Sequence, residues 1–193
     1  MSQLKLTADS GGGTVAIKGP ASTAGNAAIE LTVPGTANGT ILTSNSSTGK
    51  TLKVFQAIKT DTASTGSTSF ADILTVSITP SATRSKILYT GHLYLGFSGA
   101  EGNFRLTRTV GGSTTEIGNA SVVDDDADGY FAIGGGSAYT PGTFSFLDSP
   151  NTTSAITYGI KWHMHSGTMY LNRTWDNNWF HVSSTITAME VAV

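Results

Sequence analysis

His163 and His165 stand one residue apart in Lys161-Trp162-His163-Met164-His165. On a strand both imidazoles fall on one face, about 6.5–7 Å apart along the backbone. Two metal chemistries use that spacing. Three chains meeting on a threefold axis would enclose one transition-metal ion with six imidazoles. In the second, His181 on a neighbouring strand completes a three-His zinc site with one position open for water, as hydrolytic zinc chemistry requires. A reading without metal is a solvated polar strand face shared with Tyr170.

Asp124-Asp125-Asp126-Ala127-Asp128-Gly129 is a second cluster. Asp124, Asp126 and Asp128 followed by Gly129 match the first half of a calcium loop, where alternating carboxylates converge on the ion and Gly permits the sharp turn. The second half is missing, since Gly135 stands where the closing Glu would be. Calcium, or water and salt around a plain acidic loop, would offset the mutual repulsion. The third cluster is Trp175-Asp176-Asn177-Asn178-Trp179-Phe180. Trp175 and Trp179 offer ring faces for stacking on a sugar, and Asn177 and Asn178 offer planar groups for its hydroxyls. Aromatics are equally at home in a subunit interface. Tyr130 is a further loop aromatic of the receptor-binding type.

Catalytic motifs are otherwise missing. There is no G-x-S-x-G, P-loop, H-E-x-x-H or G-x-G-x-x-G opening a helix. A glycoside hydrolase would need two carboxylates facing across a groove, and Glu101, Glu116, Asp148 and Asp176 qualify by type alone. The expectation is a protein that is not an enzyme and requires no cofactor, with calcium or an axial transition metal as the ions its clusters would take.

The elements that must position these residues read as strands throughout. Residues 4–7, 14–18 and 29–33 alternate apolar and polar side chains, with Gly-Gly-Gly, Gly-Pro and Pro-Gly between them. Such short strands carry too few aliphatic residues to offset their ordering entropy alone. They read as an interchain β stem or attachment segment over 1–45. A polar tract at 46–49 links it to a head at 50–193. There, strands are expected at 52–59, 70–79, 86–97, 103–110, 114–117, 142–147, 155–165, 168–175 and 181–193. Turn signals every 8–15 residues fit an antiparallel sandwich of jelly-roll type. Ser166-Gly167 reads as a hairpin turn pairing Met164 with Met169 and Trp162 with Leu171. One face is then Tyr158, Ile160, Trp162, Met164, Met169 and Leu171, which is core.

Composition agrees. Charged residues are 12% of 193, the net charge is −2, and Ser and Thr make up roughly a quarter. Scattered basic residues argue against nucleic-acid binding. No apolar run is long enough for membrane insertion as a helix. With no cysteine, disulfides are excluded. The first residues lack the apolar stretch of a signal peptide, so assembly in a host bacterial cytoplasm is expected.

The segment from Leu4 to Leu42, with Gly-Gly-Gly-Thr-Val-x-Ile-Lys-x-Pro and Asn26-Ala27-Ala28-Ile29-Glu30-Leu31-Thr32-Val33-Pro34-Gly35, resembles the N-terminal part of tail-fibre-like structural proteins of marine tailed bacteriophages. Leu74-Thr75-Val76-Ser77-Ile78-Thr79-Pro80-Ser81-Ala82-Thr83-Arg84-Ser85-Lys86-Ile87-Leu88 and Phe144-Ser145-Phe146-Leu147-Asp148-Ser149-Pro150 resemble the globular β module that follows it. The resemblance implies a virion component: a homotrimeric tail fibre or short appendage whose β-sandwich head meets a host surface glycan. Its N-terminal segment would join other virion proteins. The alternative is a capsid decoration or head-fibre protein without receptor binding, and a polysaccharide-degrading tail protein is a further one.

Overall fold

Alternation of inward apolar and outward polar side chains shapes almost every element of the computed structural model, which describes residues 50–99, 101–118, 129–134, 140–176 and 181–193 together with the strands at 3–7 and 14–18. The described residues are all strand and turn, with no helix among them. The backbone divides into two units, Met1–Ser44 and Asn45–Val193. In the first, β1 (Gln3–Thr7) and β2 (Thr14–Lys18) pair antiparallel, with Leu4 opposite Ile17 and Leu6 opposite Val15. The strand expected at 29–33 lies outside the described residues.

The second unit is an antiparallel sandwich. One sheet holds β3 (Thr51–Lys59), β4 (Ala63–Thr65), β6 (Lys86–Phe97), β10 (Thr140–Asp148), β12 (Met169–Leu171) and β13 (Ser184–Val191). The other holds β5 (Ala71–Ile78), β7 (Glu101–Val110), β8 (Ser113–Ile117), β9 (Phe131–Gly134) and β11 (Ile156–Met164). Short strands lie end to end, which leaves each sheet four strands wide. Along one flank of β6 runs β10; along the other run β13 and then β12, continued outward by β3 and β4. In the second sheet β11 lies between β5 and β7, and β8 and β9 share the far flank of β7.

The core follows from the period of two. Ile87, Tyr89, Leu93, Leu95 and Phe97 of β6 face Ile156, Tyr158, Ile160, Trp162 and Met164 of β11, all of them buried. Phe104 stacks on Phe131 with ring centroids 4.4 Å apart, and Tyr89 meets Phe144 edge to face. Gly91 points inward between Phe144 and Ile186, where a Cβ would collide with the Phe144 ring.

Three buried polar groups brace the sandwich, the first of them between its sheets. Asp148 of β10 accepts two hydrogen bonds from Arg108 Nη1 of β7, at 2.9 and 3.0 Å, and one from Tyr158 Oη of β11 at 2.6 Å. Each of these bonds crosses from one sheet to the other. Glu190 of β13, fully buried, accepts the Ser81 N–H at 2.5 Å and the Ser81 hydroxyl at 3.1 Å, with Lys53 Nζ at 3.6 Å. Asn172 sits where both pairs of end-to-end strands break. Its Nδ2 donates to Lys59 O and Asp61 O, each at 2.8 Å, its Oδ1 accepts from Ser184 Oγ at 2.6 Å, and its N–H bonds Tyr94 O.

Two sequence expectations are corrected. Ser166-Gly167 does not close a hairpin: β11 belongs to one sheet and β12 to the other. The reason is that β5 and β7 already occupy both flanks of β11, up to Trp162 opposite Ala71 and Met164 opposite Gly102. The core face survives, because Met169 and Leu171 enter the same core from the opposite side, but Asn172 and His163, expected on the solvent-facing side, are buried. Second, the strand expected over 168–175 stops at Leu171, where Asn172 takes a left-handed φ of 61°.

Candidate functional site

The chain between β12 and β13 carries the exposed aromatic chemistry. Asn172 turns it away from β6, and the Val182 N–H returns to Asn172 O at 3.3 Å to close the base of the loop. Residues 173–175 then run directly over Gly96, where a Cβ would meet Arg173 O at 2.7 Å and Trp175 N at 2.9 Å. A side chain at 96 would push the loop off the sheet. Thr174 is buried against this surface while Trp175 stays 43% exposed and Asp176 is exposed.

Register adds the neighbours. Tyr170 opposes Gly96, so it shares the outer face with Tyr94 and His92, whose rings lie 4.4 Å apart. The Arg173 guanidinium sits 4.2 Å over the Tyr170 ring, a cation–π contact that fixes a charged donor beside an aromatic face. The loop thus carries Trp175 and Asp176 across the same outer sheet face that holds Tyr170 with Arg173 and the Tyr94–His92 pair, and together these form the candidate platform. Ring faces flanked by planar hydrogen-bonding groups are what a pyranose needs: stacking against its C–H face and partners for its hydroxyls. Sequence reasoning singled out Trp175 but passed over Arg173, Tyr94 and His92. The spacing of His92, Tyr94 and Gly96 at i, i+2, i+4 on one strand was the signal for a shared face.

The remaining candidates are dispersed. Asn177, Asn178 and Trp179 lie outside the described residues, as do Asp124, Asp126 and Asp128 of the calcium-like tract. Tyr130 is a packing residue rather than a free ring: its hydroxyl bonds Ser145 O at 2.5 Å and its ring meets Phe131, Phe144 and Phe146 edge-on. Tyr130, expected as a loop aromatic for receptor contact, is thus partly buried against the core. Gly129, beside it, lies against Phe104 O, with room for no side chain.

His163 and His165 part company. His163 is 3% exposed, under the Phe70 ring at 4.3 Å, with Asn103 Nδ2 3.3 Å from its Nε2. The solvated face expected at this position is thus covered by the chain's own Phe70, which the Arg105 guanidinium caps at 3.9 Å. His165 lies beyond the end of β11 and is exposed, and His181 is exposed in another loop. Among the described residues no three His, Asp or Glu side chains are grouped to hold a metal ion, so the three-His zinc arrangement is not formed.

Burial tunes the remaining titratable groups. Burial pushes the Tyr158 hydroxyl above its ordinary range, and its bond to Asp148 adds to the effect. Burial alone raises Tyr89. Both tyrosines stay neutral across the working pH range, which suits structural roles. For Glu190, burial pulls upward, but hydrogen bonds from Ser85 and Ser81 and the Lys53 charge outweigh it and hold the carboxyl below its usual range.

No family model and no curated protein matches this chain. Among solved structures, the Gx strain of infectious bursal disease virus superposes with 14% identity and a TM-score of 0.39, covering 98% of this chain and 46% of that one. The VP2 subviral particle of infectious bursal disease virus gives 12% identity and a TM-score of 0.37 over 84% and 43%. This chain thus spans under half the length of those chains. The likenesses are too slight in backbone and sequence to carry an argument about its function.

Proposed function

We propose that the protein is a structural component of a tailed-bacteriophage virion, a homotrimeric tail fibre or short appendage whose sandwich head binds a host surface glycan. The observation that carries the reading is the platform at the β12–β13 loop: an exposed Trp175 beside Arg173 stacked on Tyr170. The resemblance of the N-terminal segment and of the 74–88 and 144–150 motifs to tail-fibre-like proteins supports the virion context. Buried polar hydrogen bonds at Asp148 and Asn172 brace the sheet beneath the platform. No part of the reading requires catalysis. Residues 1–45 would join the chains to one another and to other virion proteins. Three such sites on one trimer would raise avidity by roughly 10²–10⁴ over a single site.

The test is adsorption of the purified full chain to host cells, compared with the Trp175→Ala, Trp179→Ala double variant. Adsorption is expected to fall at least tenfold, with no release of reducing ends by either protein. Unchanged adsorption by a folded variant would overturn the receptor role and leave a capsid decoration protein as the better reading.

A further inference from the structure

The outer strand of the six-stranded sheet is unusually apolar where it meets solvent. β3 carries Val54, Phe55 and Ile58 at 54%, 47% and 56% exposure. Among the described residues nothing pairs with its free edge. Edge strands are ordinarily protected by short length, proline, bulges or free lysines. β3 has nine residues and no proline, and its register shift lies at the far end, near Thr51. Its two lysines are already engaged: Lys53 with Glu190 and Thr79 O, Lys59 with Asp61 at 2.8 Å. Behind Phe55 a cavity of about 250 Å³ opens between β3 and β5, lined by Lys53, Phe55, Ser77, Ile78 and Thr79.

We infer that β3 pairs antiparallel with β3 of a second copy of this chain, about a two-fold axis at Gln56. The strand is self-complementary in that register. Val54 falls opposite Ile58 of the second copy, Phe55 opposite its small Ala57, and Gln56 opposite Gln56. Every exposed apolar side chain of β3 is then matched, twice over, as an isologous contact requires. Moving the axis to Phe55 sets Val54 against Gln56; moving it to Ala57 sets Phe55 against Lys59. Lys53 opposes Lys59 of the second copy, but each keeps its own carboxylate partner. The pairing continues the six-stranded sheet across the axis and covers the open mouth beside Phe55. It is independent of the virion reading, and combined with a threefold stem it gives a hexamer.

The chain has no cysteine, so Gln56→Cys in the full-length protein introduces one thiol on the axis. Directly opposed strand residues have Cα atoms about 4.5–5.5 Å apart, within disulfide reach. Mild oxidation is expected to convert most of this variant to a covalent dimer. Val54→Cys, whose two copies would stand about four residues apart along the strands, is expected to stay reduced. Light scattering of the parent protein should give an even multiple of the protomer mass, and Ile58→Lys should halve it. A monomeric or trimeric parent, or cross-linking of Gln56→Cys no better than of Val54→Cys, would overturn the proposal and show the edge to be covered by something other than β3.

Discussion

Asn172 does with one side chain what usually takes several. Fully buried and left-handed, it satisfies two carbonyls at the β3–β4 break and one hydroxyl at the start of β13. Asn is among the few residues that tolerate this backbone and can also bond locally. Backbone and side-chain contributions separate by substitution. Asn172→Gly keeps the φ and loses the bonds, and should cost about 2–3 kcal/mol through the stranded carbonyls; Asn172→Ala should cost more because it adds backbone strain. Urea denaturation of the two variants checks the order. None of this was legible in Leu171-Asn172-Arg173, where Asn reads as an ordinary polar strand residue. The exposure of Trp175 was legible, because a tryptophan in a polar loop between strands stands out by type. The burial of His163 was not, since the covering residue, Phe70, is remote in sequence.

At the scale of elements, alternation located strands well because both sheets bury one face and wet the other. All nine strands expected between residues 52 and 193 have counterparts, while β4 and β9, of three and four residues, were too short to show a period. Pairing was less visible. A two-residue turn between apolar strands signals a hairpin locally, and only the occupied flanks of β11 reveal the crossing between sheets. That crossing makes its own demand. Gly167 has φ +87° and lies against Gly99, so that a Cβ would stand 2.6 Å from Gly99 Cα. Gly167→Ala should therefore destabilise the protein by about 1–3 kcal/mol, read as a lower urea midpoint at unchanged slope.

Across the whole molecule, stability should depend on acid through Glu190. Its carboxyl titrates lower in the folded state than its ordinary value of 4.5. The unfolded chain therefore binds a proton that the folded chain does not, and stability is lost as pH falls from about 4.5 through the lower folded value. Thermal unfolding temperatures should drop over that window. Glu190→Gln should start lower at neutral pH, by on the order of 1–3 kcal/mol, and show a shallower acid decline. A variant that tracks the parent at every pH would remove Glu190 from this account.

β13 lies between β3 and β6, yet it follows both of them in sequence. During synthesis on the ribosome β3 emerges first and must wait for about 130 further residues before its neighbour exists. For that interval Leu52-Lys53-Val54-Phe55-Gln56-Ala57-Ile58 is without the strand that pairs with it. Chains cut short before residue 184 cannot insert the strand that joins β3 to its sheet, and they should accumulate as insoluble material rather than as folded fragments. Insertion of residues 184–191 between β3 and β6 thus acts as the step that completes the sheet.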